Sequence, residues 1–145
     1  MKLLPSLQRI VNIFMMALTV WREARGQSVE ARTAVAFVLK DRAAEGGWWA
    51  RDGDDILSVA ATKRQFSSLT APDDPQLTTW PRDDEPVWIE CLGLAQQVEY
   101  GVIANPAPGA DSYYDVSIPA PRWASTGTFL RQIGNIRFYR VRGQA

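Results

Sequence analysis

The chain has 145 residues, room for one domain of ordinary size, and is 46% hydrophobic with 6 Trp, 4 Tyr and 5 Phe, a composition that buries easily and excludes a disordered chain. Lys plus Arg total 16 and Asp plus Glu total 16, so the chain has no global positive field of the kind that drives nucleic-acid binding. With no His and one Cys, Cys91, it cannot build a Ser-His-Asp or Cys-His nucleophile, a His-ligated zinc centre or an internal disulfide. Zinc amidases, zinc peptidases and papain-like peptidases are thereby removed, and acid-base work falls to carboxylates, Tyr, Lys or backbone groups.

The apolar run from Ile10 to Val20 is broken only by Asn12 and Thr19. It has the length of a signal-peptide core, but Trp21-Arg22-Glu23-Ala24-Arg25 follows instead of a small-residue cleavage site, and it is too short to span a bilayer. A folded core helix is the expectation. Leu7, Ile10, Phe14, Ala17, Leu18 and Trp21 fall at helical spacing and predict a helix over 5–25 with Gly26 as its stop. Ser28 can cap a second helix to about residue 44, ended by Gly46-Gly47, whose stretch Ala34 to Leu39 is apolar all round. Trp48 and Trp49 lie in the connection, and Asp54 or Asp55 can cap a short helix over 56–61.

Between Ser67 and Pro86 four prolines and the pairs Asp73-Asp74 and Asp83-Asp84 predict a solvated surface loop without core residues. A helix over 86–100 follows, with Trp88, Cys91, Leu92, Ala95 and Val98 on one face and Gly101 after its end. Strands are expected over 112–116 and 136–141, with an irregular connector over 119–123. Helices first and a small antiparallel sheet in the last third make an α+β fold, a single domain over 1–145.

Glu23 is the first candidate for chemistry, a carboxylate between Arg22 and Arg25 in the last turn of a helix. The helix end disfavours its ionisation and the arginines favour it. On spacing alone the competing reading is a solvated Glu paired with an Arg.

The ordered blocks Ala17-Leu-Thr-Val-Trp-Arg-Glu-Ala-Arg-Gly-Gln27, Ala34-Val-Ala-Phe-Val-Leu39 with Arg42, Gln65-Phe-Ser67, Gly109-Ala-Asp-Ser-Tyr-Tyr114, Pro121-Arg-Trp123 and Ile133-Gly-Asn-Ile-Arg-Phe-Tyr139 resemble the SleB-type family of spore-cortex-lytic and cell-wall hydrolases. The resemblance implies a lysozyme-like helical domain that cleaves peptidoglycan glycan strands as a lytic transglycosylase, leaving 1,6-anhydro-muramic ends, with Glu23 as the catalytic acid/base. It departs from the family's usual pattern at Ile136, where His is usual, and at Asp41, where Asn is usual.

From the same blocks Gln65, Ser67, Tyr113, Tyr114 and Asn135 are expected to contact substrate. The tyrosines alternate in a strand, one towards the core and one towards the cleft, with Tyr113 favoured for the cleft. The competing readings are core packing for the tyrosines, a loop cap for Gln65 and a turn residue for Asn135. Trp48, Trp49, Trp80 and Trp123 are structural or sugar-stacking residues. A transglycosylase needs one carboxylate, whereas a hydrolase usually needs a second, for which Asp111, Asp115, Glu30 and Asp41 are the candidates.

The expected function is therefore a peptidoglycan-cleaving glycosidase, acting as a phage endolysin on the cell wall or in the periplasm. Without a clear cleavable signal it is made in the cytoplasm and released by a holin or other helper. The alternatives are a muramidase or glucosaminidase using water, and a non-catalytic peptidoglycan-binding module. No metal or cofactor, no nucleic acid and no stable membrane span are expected, and the chain is read as a monomer.

Overall fold

The computed structural model describes residues 4–46, 49, 55–61 and 66–142, and for residues 67 and 68 the backbone alone. Gln65 and Trp48 therefore lie outside the described residues. Helix α1 (Pro5–Ala24) starts on a proline whose missing N–H leaves no orphan donor at that position. From Met16 to Arg22 every residue is buried, as is Ala24, so the apolar run forms core, as expected. The first half of the expected stripe differs: Leu7, Ile10 and Phe14 are 45%, 63% and 46% exposed. On that side α1 faces solvent, and Phe14 packs edge-to-face with Trp88, their ring centroids 5.9 Å apart. Gly26 does not adopt the left-handed conformation; the helix closes on Arg25, and Gln27 N–H donates to the Ala24 carbonyl at 2.9 Å.

Helix α2 (Val29–Glu45) is capped by Ser28, whose Oγ accepts from the Ala31 N–H at 3.2 Å. It ends at Gly46, whose φ of 65° strains any residue with a Cβ. Between them α2 is buried on nearly every side, the central helix that its apolar stretch predicts. Helix α3 (Ile56–Ala61) takes its cap from Asp55, which accepts from the Ser58 N–H at 2.8 Å.

The expected loop from Ser67 to Pro86 holds two short helical turns, α4 (Ser67–Thr70) and a 3-10 turn Pro75–Thr78 capped by Asp74. No residue from Leu69 to Pro86 is buried, in keeping with its polar composition. Helix α5 (Pro86–Glu99) buries Trp88, Cys91, Leu94, Ala95 and Val98. Leu92, expected on that face, is half-buried, and Leu94 takes its place because the core wraps further round the helix than a single narrow stripe.

Strands β1 (Ser112–Asp115), β2 (Thr128–Ile133) and β3 (Ile136–Arg140) form an antiparallel sheet in the order β1-β3-β2. Sequence reading missed β2 because every residue in it but Ile133 is exposed, so no apolar alternation marks it. The connector before it contains a 3-10 turn, Arg122–Ser125. One buried cluster joins α1, α2, α3 and α5 to Ile133, Ile136 and Phe138 of the sheet. This arrangement is the expected α+β fold. Among the described residues no helix is long and apolar enough to cross a membrane.

Candidate active site

Glu23 stands half-buried in the last turn of α1, between the buried Trp21 and Arg22 on one side and Ala24 on the other. The arginines beside it reach into the 75–80 segment. Arg22 donates from Nε to the Thr79 carbonyl at 3.2 Å and from Nη2 to the Leu77 carbonyl at 3.3 Å, and lies 4.5 Å from the Trp80 ring centroid. Arg25 donates to the Gln76 side chain at 2.8 Å and covers the Trp21 ring at 4.2 Å.

From the sheet, Tyr113 on β1 donates its hydroxyl to Glu23 Oε1 at 3.4 Å, a link across 90 positions of chain. Burial, then the negative charge of Glu23, holds the Tyr113 phenol well above its ordinary range, so it stays protonated as a donor. Tyr113 also packs on Phe138, centroids 6.0 Å apart, which fixes its ring against the core.

Arg42 of α2 completes the arrangement. It is buried, lies over Trp49 at 4.2 Å and Phe66 at 5.1 Å, and donates from Nε to the Asp111 carbonyl at 2.7 Å. Burial pushes its pKa down to about 10, against the opposing pull of Tyr113, Asp111, Glu23 and Glu45, so it remains a cation at neutral pH. A fixed positive charge thus acts on both Glu23 and Tyr113. Sequence reading quoted Arg42 only as part of a block; an arginine on a helix otherwise flanked by Leu39 and Ala43 was the available signal.

The other expected residues divide. Tyr114 points from the opposite face of β1, stacked on Tyr139 at 5.9 Å and edge-on to Trp123 at 6.0 Å. Asn135 is exposed in the two-residue turn between β2 and β3, beside Gly134 at φ 57°, and its carbonyl accepts from the Val116 N–H at 2.8 Å. Ser67 opens α4, and Gln65 lies outside the described residues. Trp49 is structural, stacked on Arg42, and Trp80 is 62% exposed over Arg22.

Three of the four further carboxylates have bonded partners of their own. Asp111 is sealed and accepts from the Val141 and Arg142 N–H groups at 2.8 and 2.9 Å. Glu30 pairs with Arg131 at 2.8 Å. Asp115 accepts from Gln27 at 3.4 Å and from the Ser117 N–H at 2.9 Å. Asp41 is half-buried on α2, where burial raises its pKa and the charges of Lys40 and Arg140 oppose that shift. Among the described residues no group of three or more His, Cys, Asp or Glu could hold a metal ion. Ile136, at the position where His is usual, is core, 2% exposed.

A family model for cell wall hydrolases matches residues 26–139. The chain belongs to the cell wall hydrolase family. As such it is an enzyme of peptidoglycan degradation, and the matched span starts just after Glu23 while including Arg42 and Tyr113. The fold is similar to the catalytic domain of the germination-specific lytic transglycosylase SleB from Bacillus anthracis, at 22% identity and a TM-score of 0.66, covering 89% of this chain and 93% of that one. It is also similar to the catalytic domain of the Bacillus cereus SleB protein, at 21% identity and a TM-score of 0.67, covering 89% of each chain. No curated protein matches.

Proposed function

We propose that this cell wall hydrolase cuts the glycan strand as a lytic transglycosylase with Glu23 as its one acid and base. The observation that carries the reading is the Glu23 carboxylate held against the Tyr113 hydroxyl at 3.4 Å, with the Arg42 cation acting on both. Asp111, Glu30 and Asp115 are each engaged with other groups, which favours one carboxylate over a pair. The solved SleB domain of the same fold, described as a lytic transglycosylase, supports the same choice.

In this mechanism protonated Glu23 gives its proton to the glycosidic oxygen as the C1–O bond breaks. The carboxylate so formed takes the proton of the muramic 6-hydroxyl, whose oxygen closes onto C1 of the same sugar. No water is consumed, and the enzyme regains its proton. Tyr113 holds the carboxylate in place through both steps, and Arg42 offsets its charge once the first proton has left.

Mass spectrometry of fragments from purified peptidoglycan tests this, comparing the parent with Glu23→Gln. Anhydro-muramic ends from the parent, reduced at least about 100-fold in the variant, are the expected result. Glu23-dependent reducing ends would instead mean a water-using hydrolase with a second carboxylate. No fragments from either protein, with retention on the wall, would make it a binding module.

A further inference from the structure

Residues opposite each other in an antiparallel pair share a face of the sheet. Tyr113 and Phe138 form one such pair, on the face turned to Glu23 and the core. Tyr114 pairs with Arg137, Phe129 with Tyr139 and Gln132 with Arg137, so these side chains share the outer face. Tyr139 is sealed there, 5% exposed, beneath Trp123 and Phe129 at centroid distances of 5.4 and 5.5 Å.

Arg137 is fixed on this aromatic bed. Its guanidinium lies 4.1 Å from the Phe129 centroid, Nε donates to Tyr139 Oη at 3.1 Å, and Nη1 donates to Gln132 Oε1 at 3.1 Å. Both acceptors are neutral. Its neighbours Arg131 and Arg140 pair with Glu30, Glu45 and Asp111, but no carboxylate among the described residues pairs with Arg137. A guanidinium carries five N–H donors in a planar fork that matches a carboxylate, and two bonds leave part of that fork unused. Arg131, opposite Phe138, and Arg140, two residues beyond it on β3, lie on the other face of the sheet, so the cation on the outer face is that of Arg137.

We propose that the outer face of the sheet is a second wall-binding site, where Arg137 takes a carboxylate of a peptidoglycan stem peptide and the rings of Phe129 and Trp123 flank the attached sugar. Phe129, 46% exposed, and Trp123, half-buried, offer apolar surface for a sugar face beside the cation. The site rests on peptidoglycan as the substrate and not on how its glycosidic bond is cut. Lying on the opposite face of the sheet from Tyr113, it holds the wall without occupying the cleft.

Retention on purified sacculi by co-sedimentation tests it, using Glu23→Gln protein so that the wall is not consumed. Sacculi freed of anionic phosphodiester polymers should retain the protein, and glycan strands stripped of stem peptides should retain it on the order of tenfold less. Adding Arg137→Gln should lower retention on peptide-bearing sacculi by a similar factor and change little on stripped strands. Equal retention with and without stem peptides, or with and without Arg137, overturns the proposal, as does retention that vanishes with the phosphodiester polymers. Should Arg137→Gln not fold, displacement of Arg137-bearing protein decides: soluble stem peptides with free carboxylates should release it and their amidated forms should not. Absence of anhydro products from the parent in the earlier experiment, with Arg137-dependent retention intact, would overturn the proposed reaction and leave this site standing.

Discussion

Tyr113 and Tyr114 are neighbours in sequence with opposite surroundings. Strand alternation predicts that they part; which of them meets Glu23 follows from the sheet's placement over α1, and Tyr113 is the one. Its hydroxyl donates to a charged acceptor, a bond worth about 1.5–3 kcal/mol. Tyr113→Phe keeps the ring on Phe138 and removes only that donor. The expected result is a fall in kcat of about 10- to 100-fold with KM little changed, read from fragment release, and a Tm lower by several degrees. An unchanged kcat would remove Tyr113 from the site. Glu23 was named from its block; Asn135 was expected to contact substrate, with a turn residue as the competing reading, and it stands in the turn beside Gly134. Arg42 was not legible, since Trp49, Phe66 and Asp111 make its environment and none is its neighbour in sequence.

At the scale of elements, the helices were legible from period and caps: Ser28, Asp55, Pro86 and Gly101 stand where a cap, a first turn or a stop requires them. Strand β2 was not legible, because an exposed edge strand has no apolar face to print in its sequence. The 67–86 segment was read correctly as polar surface, but its anchor was invisible. Arg22, far away on α1, holds the Leu77 and Thr79 carbonyls and lies beside the exposed Trp80. Arg22→Ala removes these bonds while leaving the turn's own cap at Asp74 intact. Limited proteolysis should then cut between Ala71 and Trp80 several times faster than in the parent, at about 1–3 kcal/mol lower stability. Unchanged cleavage would mean that the segment holds itself.

At the scale of the whole molecule, Asp41, the carboxylate at the position where the family usually has Asn, ties part of the stability to pH. Burial raises its pKa, so the native state holds this proton more tightly than the unfolded chain does. Stability from this group is therefore full below the ordinary carboxylate range and is lost as pH rises through the raised value. Asp41→Asn should raise Tm at pH 7 and leave it nearly unchanged near pH 4, followed by thermal unfolding at both. A shift of equal size at the two pH values would assign the effect to shape and not to charge.

The sheet order β1-β3-β2 also sets when the chain can first act. Strand β1, which carries Tyr113, has β3 as its sole partner in the sheet, and β3 (Ile136–Arg140) lies far downstream of Glu23 in the chain. Glu23 leaves the ribosome with its helix well before β3 does, so the hydroxyl that meets it has no sheet to hold it until Ile136–Arg140 emerges. A nascent chain that stops short of β3 therefore lacks the sheet that holds Tyr113 against Glu23.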